Sequence, residues 1–340
     1  MKRNRFIDVL KGILIIFVIF FHFPFKIAGV SQYLFPFHIF PIPCFMMISG
    51  YVSALSFQKR GCEDIKKTYK FIPVAEKVLR FTIPFTIAFI GEWIVFRIFG
   101  IYKVGIRTYG IFALAMDYLR GGIGQGSYYY PLMIQFIFII PIIYYVIKKH
   151  NFKGLIYCFF ANAAYEILKT AYHMNDSEYR MLVFRYIFII GAGCYIAIGQ
   201  IPPKKKIIPL SAICIIAGLG FAYLFSYTTY TPKIITYWGG SSFLVCLLTI
   251  PILGWLIQHV HCTFKPLEII GQASFNIFLV QMIFYNFAND INEMIPVLGV
   301  QLLFCIVSCV VIGILFYYLE QPLTKFVIRK MKEKMLHLDK

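Results

Sequence analysis

Charge is scarce in this sequence. Asp, Glu, Lys and Arg make up 14% of its 340 residues, against about a quarter in a soluble domain. With 60% of the residues apolar, a soluble chain is excluded. Acid is scarcer still, at 15 Asp and Glu against 33 Lys and Arg. In a soluble protein a balance of +18 would suggest a nucleic-acid partner. In a membrane protein it follows from the retention of Lys and Arg in cytoplasmic loops, so no nucleic acid is expected. The 9 cysteines include no C-x-x-C and no Cys/His cluster with zinc spacing. Most, such as Cys44, Cys158, Cys194, Cys246 and Cys309, fall in apolar runs and read as small hydrophobes. Neither a disulfide framework nor a metal is expected. No repeat, low-complexity tract or detachable soluble segment interrupts the chain, so any chemistry must lie within or at the faces of one membrane-embedded domain over 1–340.

What the sequence does have is a succession of apolar runs of about 18 to 24 residues, each able to cross about 30 Å of hydrocarbon as a helix. Ten spans are predicted: 7–24, 38–57, 79–99, 129–147, 153–172, 181–200, 206–226, 236–258, 267–288 and 295–318. The expected fold is an all-α polytopic bundle. An even number of spans puts both termini on one side. Most Lys and Arg, including the clusters at 59–80, 148–153, 204–206 and 325–334, fall on that side, which makes it cytoplasmic. The first run follows Met1-Lys-Arg-Asn-Arg5 but has no small-x-small cleavage site after it, so it reads as a retained helix and not a signal peptide. The segment 100–128 reads as an outer loop with a short helix across Ile111–Leu119 and a glycine-rich end, and 58–78 as a basic amphipathic surface segment.

An ionisable side chain at the bilayer midplane costs at least about 2.5 kcal/mol, so each one within a span needs a reason. In the first span Lys11 and His22 are about 20° apart around the helix axis, and Asp8 and His22 about 40° apart. All three therefore share one stripe. Asp8 and Lys11 are also i,i+3 neighbours able to pair, while His22 lies roughly 16 Å further along the axis. Taken singly, His22 could be an interfacial histidine and Lys11 could snorkel to headgroups; the shared face argues for a common site. The second span starts with Pro41-Ile42-Pro43, and its Ser49-Gly50 permits close helix approach.

Asp8-x-x-Lys11-Gly12, His22 and Phe45-x-x-x-Ser49-Gly50-Tyr51 together resemble the opening of the membrane acyltransferase-3 family, the integral membrane O-acyltransferases that modify extracytoplasmic glycans. The resemblance continues through Lys77-x-x-Arg80-x-x-x-Pro84, Tyr128-Tyr129-Tyr130-Pro131-Leu132 and Arg185 with Gly191-Ala192-Gly193. It extends to Gly271-Gln272-Ala273-Ser274-Phe275 through Leu279 and to Glu320-Gln321-Pro322. Lys11 stands where the family usually has Arg; a lysine there is similar to the branch resembling fucose and exopolysaccharide O-acetylases. Lysine keeps the charge without the bidentate fork. Gln281 stands where the late helix often ends in a histidine, so no role falls to a histidine there.

The resemblance implies transfer of an acyl group, expected to be acetyl, from cytosolic acyl-CoA (acetyl-CoA) to a sugar hydroxyl of a cell-surface or secreted polysaccharide, in a bacterial-type plasma membrane and without a permanently bound cofactor. His22 is expected to act as general base or as acyl carrier. Lys11, oriented by Asp8, would contact the donor. Lys77 and Arg80 would meet the phosphates of coenzyme A, with Ser49 and Arg185 added to the donor-binding set. Tyr128, Tyr129, Tyr130 and Trp238 would stack on sugar rings, or belong to the aromatic belt. Glu166 and Arg185 read as a buried pair or as wet residues at span ends. Polysaccharide-biosynthesis proteins are the expected protein partners. A transporter or flippase of a lipid-linked glycan is the alternative; carriers commonly carry inverted repeats, and none is found here.

Overall fold

The computed structural model describes residues 4–23, 40–99, 111–124, 126–199, 204–228, 243–287, 290, 293–295 and 297–338. Among them every regular element is helical. The helices are α1 (Arg5–His22), α2 (Pro41–Lys59), a single turn α3 (Ile65–Thr68), α4 (Phe71–Phe99), α5 (Ile111–Leu119), α6 (Tyr129–His150) and α7 (Phe152–Ala171). They continue as α8 (Asp176–Met181), α9 (Ile187–Ile198), α10 (Lys204–Tyr227), α11 (Cys246–His259), α12 (Lys265–Gln272), α13 (Ser274–Phe284) and α14 (Leu298–Leu338).

The termini of these helices follow local chemistry. Asn4 caps α1 by accepting the Phe6 N–H at 3.1 Å, and Asp8 lies in the first turn, where the helix dipole favours negative charge. Pro41 and Pro43 open α2, where a missing N–H costs nothing. The expected outer helix at Ile111–Leu119 is present. The predicted surface segment 58–78 is instead divided: α3 is one turn, and α4 already begins at Phe71.

Among the described residues four helices are long and apolar enough to cross a membrane: Phe71–Phe99, Tyr129–His150, Lys205–Leu224 and Leu298–Met335. A fifth candidate is the pair α12–α13, bent by 67° at Ala273, within the predicted span 267–288. Isoleucines and leucines lie exposed along α4, α10 and α14, among them Ile90, Ile94, Ile213, Ile216, Leu303 and Leu315. Apolar surface of that extent is stable against lipid and costly against water. The last helix does not stop near 318 as predicted but runs for 41 residues, about 60 Å at 1.5 Å per residue. The helix as a whole is therefore about twice as long as the hydrocarbon requires.

Glycines set the two closest helix crossings. A Cβ on Gly271 would lie 1.8 Å from the Asp8 carbonyl oxygen, and one on Gly12 would lie 2.3 Å from the Leu267 carbonyl oxygen. Helices α1 and α12 thus meet backbone to backbone. Helices α2 and α9 do the same: a Cβ on Gly50 would fall 2.2 Å from the Ile190 oxygen, and one on Gly193 would fall 2.0 Å from the Met47 oxygen. The close approach expected of Ser49-Gly50 is realised against α9. Helix α1 supplies its first half to one apolar core, with α2, α6 and α9, and its second half to another, with α4, α13 and α14. It is the wall between them.

Candidate functional site

A cavity of about 1040 Å³ runs along α1 between these two cores. From α1 it is lined by Asp8, Lys11, Ile15, Val18 and His22, the i, i+3, i+4 stripe that helical periodicity predicts. Facing walls come from Phe45 and Ser49 of α2, Phe81 of α4, Phe136 and Ile140 of α6, and Phe275 of α13. The bend between α12 and α13 also lies on this wall, through Gly271, Gln272 and Ser274. Irregular backbone at membrane depth is tolerated where it borders a cavity.

At the His22 end three elements converge. The Nε2 of Gln281, on α13, is hydrogen-bonded to His22 Nδ1. One turn later the Tyr285 hydroxyl donates to the Ile19 carbonyl at 2.5 Å, so α13 and the 3-10 turn that follows it are each fastened to the last turn of α1. The glycine-rich loop closes the same end. A Cβ on Gly126 would come within 2.9 Å of Phe278 Cζ and 3.4 Å of His22 Cε1, at a backbone φ of +86°, so only glycine fits without strain. This segment reads from sequence as an outer loop; the structure folds it into the bundle.

Glu92 anchors that loop. It is buried at 2% exposure in α4, and its two carboxylate oxygens accept the N–H groups of Ile123 at 3.2 Å and Gly124 at 2.9 Å. Gly122, at φ +108°, leaves room for the carboxylate: a Cβ there would be 2.9 Å from Glu92 Oε2. Glu92→Leu removes the acceptor of both N–H groups, at a local cost of about 1–3 kcal/mol. Amide exchange at Gly124 should then quicken at least about fivefold, with a fall in turnover as the loop leaves His22. Unchanged exchange would refute the anchoring.

The opposite end of the cavity is cationic. Lys77 and Arg80 of α4 meet Lys325, Arg329 and Lys332 of α14, with Glu76 and Glu333 as the carboxylates among them. Glu76 holds two of these cations: it is paired with Arg80, and with Lys332 at 2.7 Å. Lys77 stands 5.0 Å over the Phe57 ring. Deeper in, Glu320 accepts from Thr324 at 2.5 Å and from Asn276 at 3.4 Å. The α14 cations were legible only as charge in a basic tail. Their spacing of 325, 329 and 332 was the available signal, since it places all three on one helical stripe.

The remaining predicted residues divide. Ser49 lines the cavity, but its hydroxyl donates to the Phe45 carbonyl of its own helix at 2.8 Å. Tyr128 and Tyr129 line the cavity, and Tyr129 packs 4.7 Å from Phe278. Tyr130 is turned away from it: its ring stacks on Phe85 at 3.7 Å, and its hydroxyl bonds to Thr82 at 3.1 Å. Arg185 does not line the cavity either. It is 2% exposed, with its guanidinium 5.0 Å from the Tyr179 ring and 5.1 Å from the Tyr186 ring. Tyr179 in turn donates to the buried Glu166. This places Arg185 and Glu166 in a buried cluster of α7, α8 and the 3-10 turn Val183–Tyr186 before α9, apart from the donor site expected for Arg185. Trp238 lies outside the described residues.

A family model described as an acyltransferase domain, the acyltransferase-3 model, matches residues 4–319. No curated protein and no solved structure matches the chain.

Proposed function

Since the chain belongs to the acyltransferase-3 family, we propose that this membrane acyltransferase moves an acyl group, acetyl in the first instance, from cytosolic acyl-CoA to a hydroxyl of a cell-surface or secreted polysaccharide. The observation that carries the reading is one cavity joining a five-cation rim to a histidine. In this reading the chain has ten spans with both termini in the cytosol of a bacterial-type cell, so the cationic rim opens to the compartment where coenzyme A esters are made.

The chemistry follows from the lining. Phosphates of the donor pair with Lys77, Arg80, Lys325, Arg329 and Lys332, where charge-assisted hydrogen bonds are strongest. The apolar wall of Phe45, Phe81, Phe136 and Ile140 receives the chain that leads to the thioester. Lys11, with Asp8 beside it on the stripe, meets the donor between rim and histidine. His22 takes the proton of the acceptor hydroxyl as its oxygen bonds to the thioester carbonyl carbon. The tetrahedral adduct collapses with cleavage of the C–S bond, and the thiolate leaves with the proton that His22 returns. Tyr128 and Tyr129 flank the sugar. Partner proteins of polysaccharide biosynthesis would supply the acceptor chain.

The test is direct. Inside-out membrane vesicles given radiolabelled acetyl-CoA should deposit label on polysaccharide in the lumen, as an alkali-labile ester. Release of free acetate with unlabelled polysaccharide would overturn the acceptor assignment. Neutralising the rim should act on donor affinity alone: Arg80→Gln or Arg329→Gln raises KM for acetyl-CoA about tenfold, given roughly 1.5–3 kcal/mol for a hydrogen bond to a charged group, with little change in kcat. The effect should shrink with salt and with dephospho-coenzyme A as the donor backbone. A fall in kcat at constant KM would count against the rim as the phosphate site.

A further inference from the structure

Gln281 is fully buried, and Gln281 Nε2 lies within hydrogen-bond reach of His22 Nδ1. This residue is 259 positions away in the chain, and nothing about its type suggested a role. Its neighbours on the same face of α13 and the turn after it, Phe278 and Tyr285, also contact the end of α1 or its loop. The amide is therefore held in a fixed place against the ring.

The chemistry of that contact depends on which end of the amide faces the ring. With Nε2 toward Nδ1, the amide donates, Nδ1 keeps its lone pair, and the neutral imidazole must carry its proton on Nε2. A ring so protonated cannot accept a proton at Nε2. In this orientation the Gln281 Oε1 is buried with no hydrogen-bond partner among the described residues. Turned end for end, which the near-identical shape of oxygen and NH₂ permits, the amide presents Oε1 to Nδ1–H. In that tautomer Nε2 carries no proton, and the same hydrogen bond at Nδ1 persists when Nε2 is protonated, so Gln281 does not have to move during turnover.

We infer that Gln281 is a positioning residue that selects the reactive tautomer of His22, accepting Nδ1–H through Oε1 so that Nε2 serves as the base. The inference rests on the reading of His22 as the base. A neutral amide does this without adding a negative charge beside the ring, unlike the carboxylate that orients histidine in many hydrolytic triads. The other ionisable groups of this region are Tyr285 just after α13, Tyr128 and Tyr129 beside the cavity, Glu92 behind the glycine loop, Asp8 and Lys11 on α1, Glu268 on α12, and Tyr317 and Glu320 on α14. Asp8 and Lys11 are roughly 16–21 Å down the axis from His22, and Glu92 is spent on the loop amides.

The experiment compares Gln281→Met, which keeps the length and removes the acceptor, with Gln281→Glu, which keeps the acceptor and adds charge. The inference expects Gln281→Met to lower kcat 10- to 100-fold, the usual range for a lost orienting partner, with KM for acetyl-CoA within twofold. Gln281→Glu should retain kcat within a few-fold and shift the acid limb of kcat/KM by about one pH unit upward. The sign follows from the carboxylate stabilising the imidazolium, so that the base form is reached only at higher pH. Wild-type kcat and profile in both variants would overturn it, as would equal losses in both with an unmoved acid limb. Should Gln281→Met fail to insert, the pH profile of Gln281→Glu decides alone. His22→Ala run alongside separates the two readings. If it keeps the wild-type rate, the base assignment fails. If it is inactive while both Gln281 variants match wild type, only the positioning role fails.

Discussion

On the proposed role of His22, replacing it by Ala should lower the rate of acyl transfer about a thousandfold and leave acetyl-CoA binding intact. The size follows from what a positioned proton acceptor contributes, roughly 10²- to 10⁴-fold. The selectivity follows from the geometry: His22 lies at one end of the cavity, and the cations that would hold the donor phosphates stand at the other. In kinetic terms an interaction made only in the transition state is lost, so kcat and kcat/KM fall together. The measurement is label transfer in vesicles, with donor affinity taken from isothermal titration of the purified protein. A variant that transfers acetyl at the wild-type rate would remove His22 from the mechanism. An acetylated wild-type imidazole trapped by acid quench would assign it as acyl carrier in place of base.

The second large effect is structural. Gly271→Ala should cost about 3 kcal/mol or more, at or above the upper end of the range for overpacking a well-filled site, and Gly271→Leu should abolish assembly. The added Cβ would lie 1.8 Å from the Asp8 oxygen and 2.7 Å from its carbonyl carbon. Neither atom can swing aside as a side-chain tip would, so α12 must separate from α1. Helix association in lipid depends on this kind of small-residue contact, because the apolar solvent offers no competing drive to repack. Separation would also move Asp8 and Lys11, so residual protein should show reduced kcat. Gly220→Ala on α10 is the control: a Cβ there meets nothing within 4 Å, and the gain in helix propensity is up to about 1 kcal/mol. Equal thermal unfolding of the two variants in detergent would refute the crossing argument.

Both predictions draw on motifs visible in the chain itself, Asp8-x-x-Lys11-Gly12 with His22, and Gly271 within the late helix. Helix geometry is fixed by the backbone, so residues 8, 11, 15, 18 and 22 had to share a face whatever packed against it. The glycines needed a different signal. A glycine in an apolar helix indicates close approach without saying to what, and the partners Leu267 and Ile190 come from the fold alone. Arg185 shows the converse: a lone cation near a span end resembled a donor contact, yet tertiary packing buries it between Tyr179 and Tyr186. Tyr128, Tyr129 and Tyr130 are adjacent in sequence, but their side chains point in different directions around the helix. Two therefore reach the cavity, while the third packs on Phe85.

By itself the sequence determined the solvent, the helical class, the family and the stripe of Asp8, Lys11 and His22. The solvent, the class and the stripe follow from composition or from short-range periodicity, which the backbone sets before any tertiary contact forms, and the family from motifs that resemble it along the chain. Only the tertiary structure decided what faces that stripe: Gln281 on the imidazole, the Glu92-anchored glycine loop at one end, and the α14 cations at the other. These groups come from segments dozens to hundreds of residues apart. Their convergence depends on which helices cross and at what depth, and no local pattern in the chain encodes that.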